Sequence, residues 1–147
     1  MRHRRALALV TLLLSGLVAV AGCGSQRTTT PGALQVVATT TQVADLARTI
    51  AGDRADVVQL LQPGTDAHEY EPTSSDLAAI ADADLVLANG AGLDTWIDKL
   101  HDSSGSTARI VQTTQGIAIR RGTDGPDPHV WMDPTLAAQM VATIGEA

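Results

Sequence analysis

Two histidines stand in loops rich in turn formers and carboxylates. His68 lies in Gly64-Thr65-Asp66-Ala67-His68-Glu69-Tyr70-Glu71-Pro72, and His129 in Pro126-Asp127-Pro128-His129-Val130-Trp131-Met132-Asp133-Pro134. A neutral imidazole offers a lone pair to Zn²⁺, Mn²⁺ or Fe near neutral pH. A nearby carboxylate, here Asp66 or Asp127, can take the other ring N–H and so orient a ligand ring from behind. The pattern therefore makes His68 and His129 candidate metal ligands. Spacing alone fits two unrelated surface histidines equally well, because two distant imidazoles are a nonspecific signal.

Other chemistries find less support. His68-Glu69-x-Glu71 would need a second histidine at position 72 to read as a zinc-protease helix, and that residue is Pro72. Asn89-Gly90-Ala91-Gly92 follows an apolar run as a dinucleotide loop does, but position 95 is Thr95, so an ordinary βα turn is the better reading. A nucleophile elbow of the G-x-S-x-G type is absent from the sequence. His101 is expected to meet the C-terminal carbonyls of its own helix. Trp96 and Trp131 read as core or pocket-wall residues, and Asp82 and Asp84 as solvated.

The elements that must position these loops alternate between strand and helix. Apolar or β-branched runs predict strands over 34–39, 56–61, 85–88 and 109–112, with a brief further one over 117–119. Helices are expected over 43–50, closed by Gly52, over 76–82, capped by Ser74 or Ser75, and over 94–100. A last helix over 134–147 carries Leu136, Met140, Val141 and Ile144 on one face and Pro134 near its first position. The segments 65–72, 103–106 and 122–128 read as loops. Interleaving of this kind implies an α/β fold, a parallel four-stranded sheet flanked by helices. Ligands of such sheets bind beyond the carboxyl ends of the strands, and both histidine loops follow strands.

The first 22 residues read as an address. A basic stretch with Arg2, Arg4 and Arg5 precedes the uncharged run 6–21, and Val20-Ala21-Gly22-Cys23 follows it. That order is a secretory signal, and its end resembles a bacterial lipobox, with Cys23 carrying the lipid. Residues 23–33 then form a flexible tether, 34–133 the folded lobe and 134–147 the start of a further helix. The chain holds 10 basic and 16 acidic side chains, and after the signal the balance is −9. A body so acidic is a poor partner for nucleic acid, whose phosphates demand clustered Lys and Arg. One cysteine excludes a disulfide framework or a Cys-rich zinc cluster.

Several segments together resemble the metal-binding lipoproteins of bacterial zinc and manganese ABC importers, a cluster that includes streptococcal adhesin lipoproteins. They are the Val-Ala-Gly-Cys box, Val36-Val37-Ala38-Thr39-Thr40-Thr41, the run from Leu61 to Pro72, Ala83-Asp84-Leu85-Val86-Leu87-Ala88-Asn89-Gly90, and Asp127 to Pro134. The resemblance implies the N-terminal lobe of a two-lobed binding protein whose lobes are joined by one long helix, with the metal between them. It implies His68 and His129 as the first two ligands, and a His or Glu and an Asp from a second lobe as the others. This sequence stops within what would be the linking helix, so the second lobe is expected to be missing.

The implied role is capture of zinc or manganese outside the cytoplasm, on the outer face of the cell membrane or in the periplasm, and delivery to an ABC importer permease, without enzymatic activity. Residues 69–128 lack the His-rich loop frequent in zinc importers and hold only His101. The His-Glu-Tyr-Glu-Pro wording is somewhat closer to manganese members, and the metal stays open between the two. A surface adhesion lipoprotein with incidental metal binding is the alternative. An exported metallohydrolase would need a general base near the ion, and none is visible.

Overall fold

The computed structural model describes residues 30–122 and 125–147. The signal segment, the lipidation candidate Cys23 and tether residues 24–29 lie outside the described residues.

Strands β1 (Leu34–Ala38), β2 (Ala55–Gln59), β3 (Leu85–Ala88) and β4 (Arg109–Gln112) form one sheet in the order β2-β1-β3-β4. Every pairing in it is parallel. Side chains alternate between faces, as strand geometry demands. Val36, Ala38, Leu87 and Val111 join α1 (Thr41–Ala51) and α4 (Pro134–Gly145) in one core through Val43, Ala44, Ala47, Met140 and Ile144. Val37, Val86 and Ala88 face the other way, onto Ile80 of α2 (Ser74–Ala81) and Ile97 and Leu100 of α3 (Trp96–Ser104). The result is three layers with helices on both faces.

Local chemistry sets the helix ends. The Thr40 hydroxyl accepts from the Val43 N–H at the start of α1, and Gly52, at φ 54°, closes it. The cap of α2 is Thr73, not Ser74 or Ser75. Asp76 lies three residues on and its carboxylate takes the Thr73 N–H while Thr73 takes the Asp76 N–H, a reciprocal box that either serine would have to break. Helix α3 runs through part of the expected loop 103–106 and stops at left-handed Gly105. In α4 the Asp133 carboxylate caps Thr135, and Pro134 occupies the first turn.

Four further expectations are corrected. Residues 117–119 form no strand; Ile117 is buried by a turn onto Thr114, and among the described residues no strand lies beside it to pair with. A two-residue hairpin, β5 (Arg121–Gly122) with β6 (Gly125–Pro126), occurs instead in the segment read as loop. The His101 ring reaches Ala108 O at 2.8 Å rather than its own helix's carbonyls, because the Gly105 turn folds the chain back beside it. Asp84 is exposed, as expected, and its carboxylate accepts the Gln35 N–H at 2.8 Å, tying the start of β1 to the start of β3. On α4, Val141 faces outward while Leu136, Met140 and Ile144 pack inward.

Candidate metal centre

The topology explains how the histidine loops meet. Strand β1 has β2 on one side and β3 on the other, so the connections leaving β1 and β3 diverge at the carboxyl edge and open a crevice. The His68 loop follows β2, and the His129 loop follows β4 and the hairpin. Their rings come to 6.1 Å between centroids, tilted at 60°. Both line a cleft of about 260 Å³ with Thr40, Thr41, Gln42 and Trp131 among its walls.

That separation is close to what one ion needs. An imidazole nitrogen binds Zn²⁺ at about 2.0–2.1 Å, which puts two coordinating ring centroids roughly 5 Å apart in a tetrahedral site. The rings must therefore approach by about an ångström, a movement within the reach of two exposed side chains turning on a fixed backbone.

His129 is the more constrained of the pair. Its Nδ1 lies 2.8 Å from Asp127 Oδ1, and the same oxygen accepts its backbone N–H at 3.1 Å. The ring hydrogen bond from His129, joined by that backbone N–H, holds the Asp127 carboxyl below the usual carboxylate range. An ionised Asp127 can only accept, so Nδ1 is the donor in this contact, and in the neutral ring the lone pair is then on Nε2. The Trp131 ring stands edge-on to His129 with centroids 5.3 Å apart.

His68 is arranged differently. Asp66 does not reach its ring; Asp66 Oδ1 accepts the His68 backbone N–H at 2.8 Å, which shapes the turn and leaves the imidazole unguided. Behind the loop, Trp96 Nε1 donates to Ala67 O at 3.0 Å, and Tyr70 packs on Trp96 with centroids 4.9 Å apart. The Tyr70 hydroxyl donates to Asp76 Oδ2 at 2.7 Å, and burial, then that carboxylate, pushes its pKa up to about 12.

Sequence reasoning missed Thr40, Thr41 and Gln42 on the cleft wall and Asn89 behind it. Their one visible signal was position, since both groups directly follow a predicted strand. Among the described residues no group of three or more His, Cys, Asp or Glu side chains is placed to hold an ion. The arrangement offers two imidazole nitrogens, half of a tetrahedral shell.

Comparison with known proteins follows the same outline. The family profile described as zinc-uptake complex component A, periplasmic, matches residues 36–147. A manganese-binding lipoprotein, MntA, of Halalkalibacterium halodurans is 33% identical over 138 residues, covering 90% of this chain and 45% of its own. An iron-binding protein, YfeA, of Yersinia pestis is 35% identical over 150 residues, covering 97% and 48%. The crystal structure of the Zn(II)-bound ZnuA-like domain of Streptococcus pneumoniae AdcA superposes with a TM-score of 0.69 at 34% identity, over 77% of this chain and 42% of that one. The chain thus spans about half the length of the curated relatives it matches.

Proposed function

The chain belongs to the zinc-uptake complex component A family, and on that premise we propose that it captures a divalent transition metal, zinc or manganese, through His68 and His129. The observation that carries this reading is the convergence of two imidazoles, from loops on opposite sides of the sheet's switch point, at 6.1 Å across one cleft. Asp127 supports it by fixing the His129 tautomer that leaves Nε2 free. The remaining coordination positions fall to water or to groups outside the described residues, such as the second lobe that the family resemblance implies.

Delivery of the metal to an ABC importer permease is the role that fits such a site, since a carrier must hold its cargo and let it go. Attachment to the outer face of the membrane through a lipid on Cys23 fits the Val-Ala-Gly-Cys box. In this reading α4 is the beginning of the helix that leads to the second lobe, and 34–133 is the lobe that presents the first two ligands. The relatives' names speak of metal binding and transport rather than adhesion. Binding rather than catalysis is the role in keeping with relatives named as metal-binding proteins.

Calorimetry with Zn²⁺ and with Mn²⁺ tests the reading. The wild-type chain is expected to bind measurably, and His68→Ala/His129→Ala to lose that binding. Equal binding by both would remove the two imidazoles from the site.

A further inference from the structure

Two hydrogen bonds reach the backbone directly behind the two histidines, and both start from one short segment. Asn89 Nδ2 donates to Pro128 O at 3.2 Å, the carbonyl preceding His129. Trp96 Nε1 donates to Ala67 O at 3.0 Å, the carbonyl preceding His68. Neither bond touches an imidazole. We infer that the segment from Asn89 to Trp96 is a strut that fixes the spacing of the two histidines, with Asn89 and Trp96 as positioning residues at its ends. The inference deepens the metal-capture reading and rests on it.

A strut must itself be anchored, and this one is tied on both sides. The buried Asp94 carboxylate accepts from Asn89 N at 2.7 Å, from Gly90 N at 2.9 Å and from the Thr39 hydroxyl at 2.6 Å, so the turn is tied to the end of β1. The Asn89 carbonyl accepts the Thr114 hydroxyl at 2.7 Å, which ties it to the residues after β4. Gly90 sits at φ +81°, and a Cβ there would lie 2.7 Å from Thr114 Oγ1, so the close approach requires glycine.

The Asn89 side chain is explained by what its amide donates and not by what it accepts. It is fully buried, and among the described residues its Oδ1 finds no hydrogen-bond partner. A buried orphan acceptor is unfavourable, and an apolar side chain of similar size would avoid it. What the amide supplies is the two-hydrogen NH₂ group, which spans Gly90 O and Pro128 O at once. The bond to Pro128 links this turn to the His129 loop.

The test uses Trp96→Phe, which keeps the packing on Tyr70 and deletes the N–H, and Asn89→Ala. Each is read by Zn²⁺ calorimetry and by the ¹⁵N imidazole spectrum of the metal-free chain. Trp96→Phe should weaken Zn²⁺ binding by roughly tenfold and Asn89→Ala by about 10- to 100-fold, the usual range for groups supporting a ligand. In the spectra, Trp96→Phe should move the His68 signals and spare His129, and Asn89→Ala should relax His129 from one tautomer towards two while His101 stays put. A merely structural loss would not sort the histidines in this way.

Folded variants with wild-type binding and unmoved His68 and His129 signals would overturn the strut. Should Asn89→Ala fail to fold, the Trp96→Phe spectra decide the matter by the same criterion. The His68→Ala/His129→Ala control separates the two levels. If it binds Zn²⁺ as wild type does, the metal site fails and the strut with it; if it loses binding while both strut variants keep theirs, only the strut fails.

Discussion

The loops around His68 and His129 bring the same side chain to the same cleft and hold it in opposite ways. At His129 the carboxylate two residues before the ring bonds the ring itself, at 2.8 Å, and the loop's backbone hangs on a fully buried amide. At His68 the carboxylate two residues before bonds only the backbone, and the loop leans on two half-buried aromatics. One imidazole is therefore oriented with its lone pair already assigned, while the other is free to turn. A metal site built this way has a fixed jaw and a moving one. The fixed jaw limits the ordering that binding must still impose, and the moving one can close the remaining ångström.

The sharpest way to break this comparison is to remove the jaws one at a time. His129→Ala and His68→Ala should each weaken Zn²⁺ binding by at least about tenfold, since a ligand matters no less than the groups behind it. His129→Ala should cost more, because it deletes the ligand whose orientation is already in place. Calorimetry on the two single variants decides it, and equal losses would mean that neither ring is favoured.

The carboxylates provide the next test. Asp127→Asn keeps the shape of the side chain but no longer demands the proton on Nδ1, so about tenfold of the affinity should go. Asp66→Asn still accepts the His68 backbone N–H through its amide oxygen and should change binding less than Asp127→Asn does. Calorimetry on the pair reverses the assignment if Asp66→Asn proves the more damaging.

How far this difference was legible in the sequence depends on which contacts are local. The strands, the helices on both faces and the meeting of the two loops follow from patterning and from the rule for parallel sheets, and the structure places β3 and β4 on the expected residues. Asp127 and Asp66 look alike in sequence, since each precedes its histidine by two residues. Only the backbone turn of each loop decides whether the carboxylate meets a ring or an N–H. Asn89 and Trp96 act on residues far along the chain, so no local pattern exposes them. Thr73 was the better cap for a readable reason, the acid three residues on, and the two serines beside it hid the signal. The brief strand over 117–119 failed because alternation needs a neighbour to pair with, and the sheet ends at β4.

The smallest effect comes from Tyr70, and it separates the two loops by pH. Its hydroxyl donates to Asp76, and the fold lifts its pKa from 10.0 to about 12, through burial first and the carboxylate second. The folded state thus prefers the neutral phenol. The stability this provides is complete below pH 10, the unfolded value, and is lost as pH rises towards 12. Tyr70 packs on Trp96, which holds the carbonyl before His68, so its ionisation should loosen the His68 loop. Residues 127–133 contain neither Tyr nor Lys. Tyr70 is the sole tyrosine, so phenolate absorbance follows it directly. The midpoint should lie near 12, with the His68 imidazole signals moving in step and those of His129 unchanged. Tyr70→Phe, which keeps the ring and drops the hydroxyl bond, should cost about 0.5–1.5 kcal/mol in stability and abolish the alkaline step. A phenolate midpoint near 10, or a His129 response as large as that of His68, would show that the two loops are not held independently and that the moving jaw is not the one leaning on its aromatics.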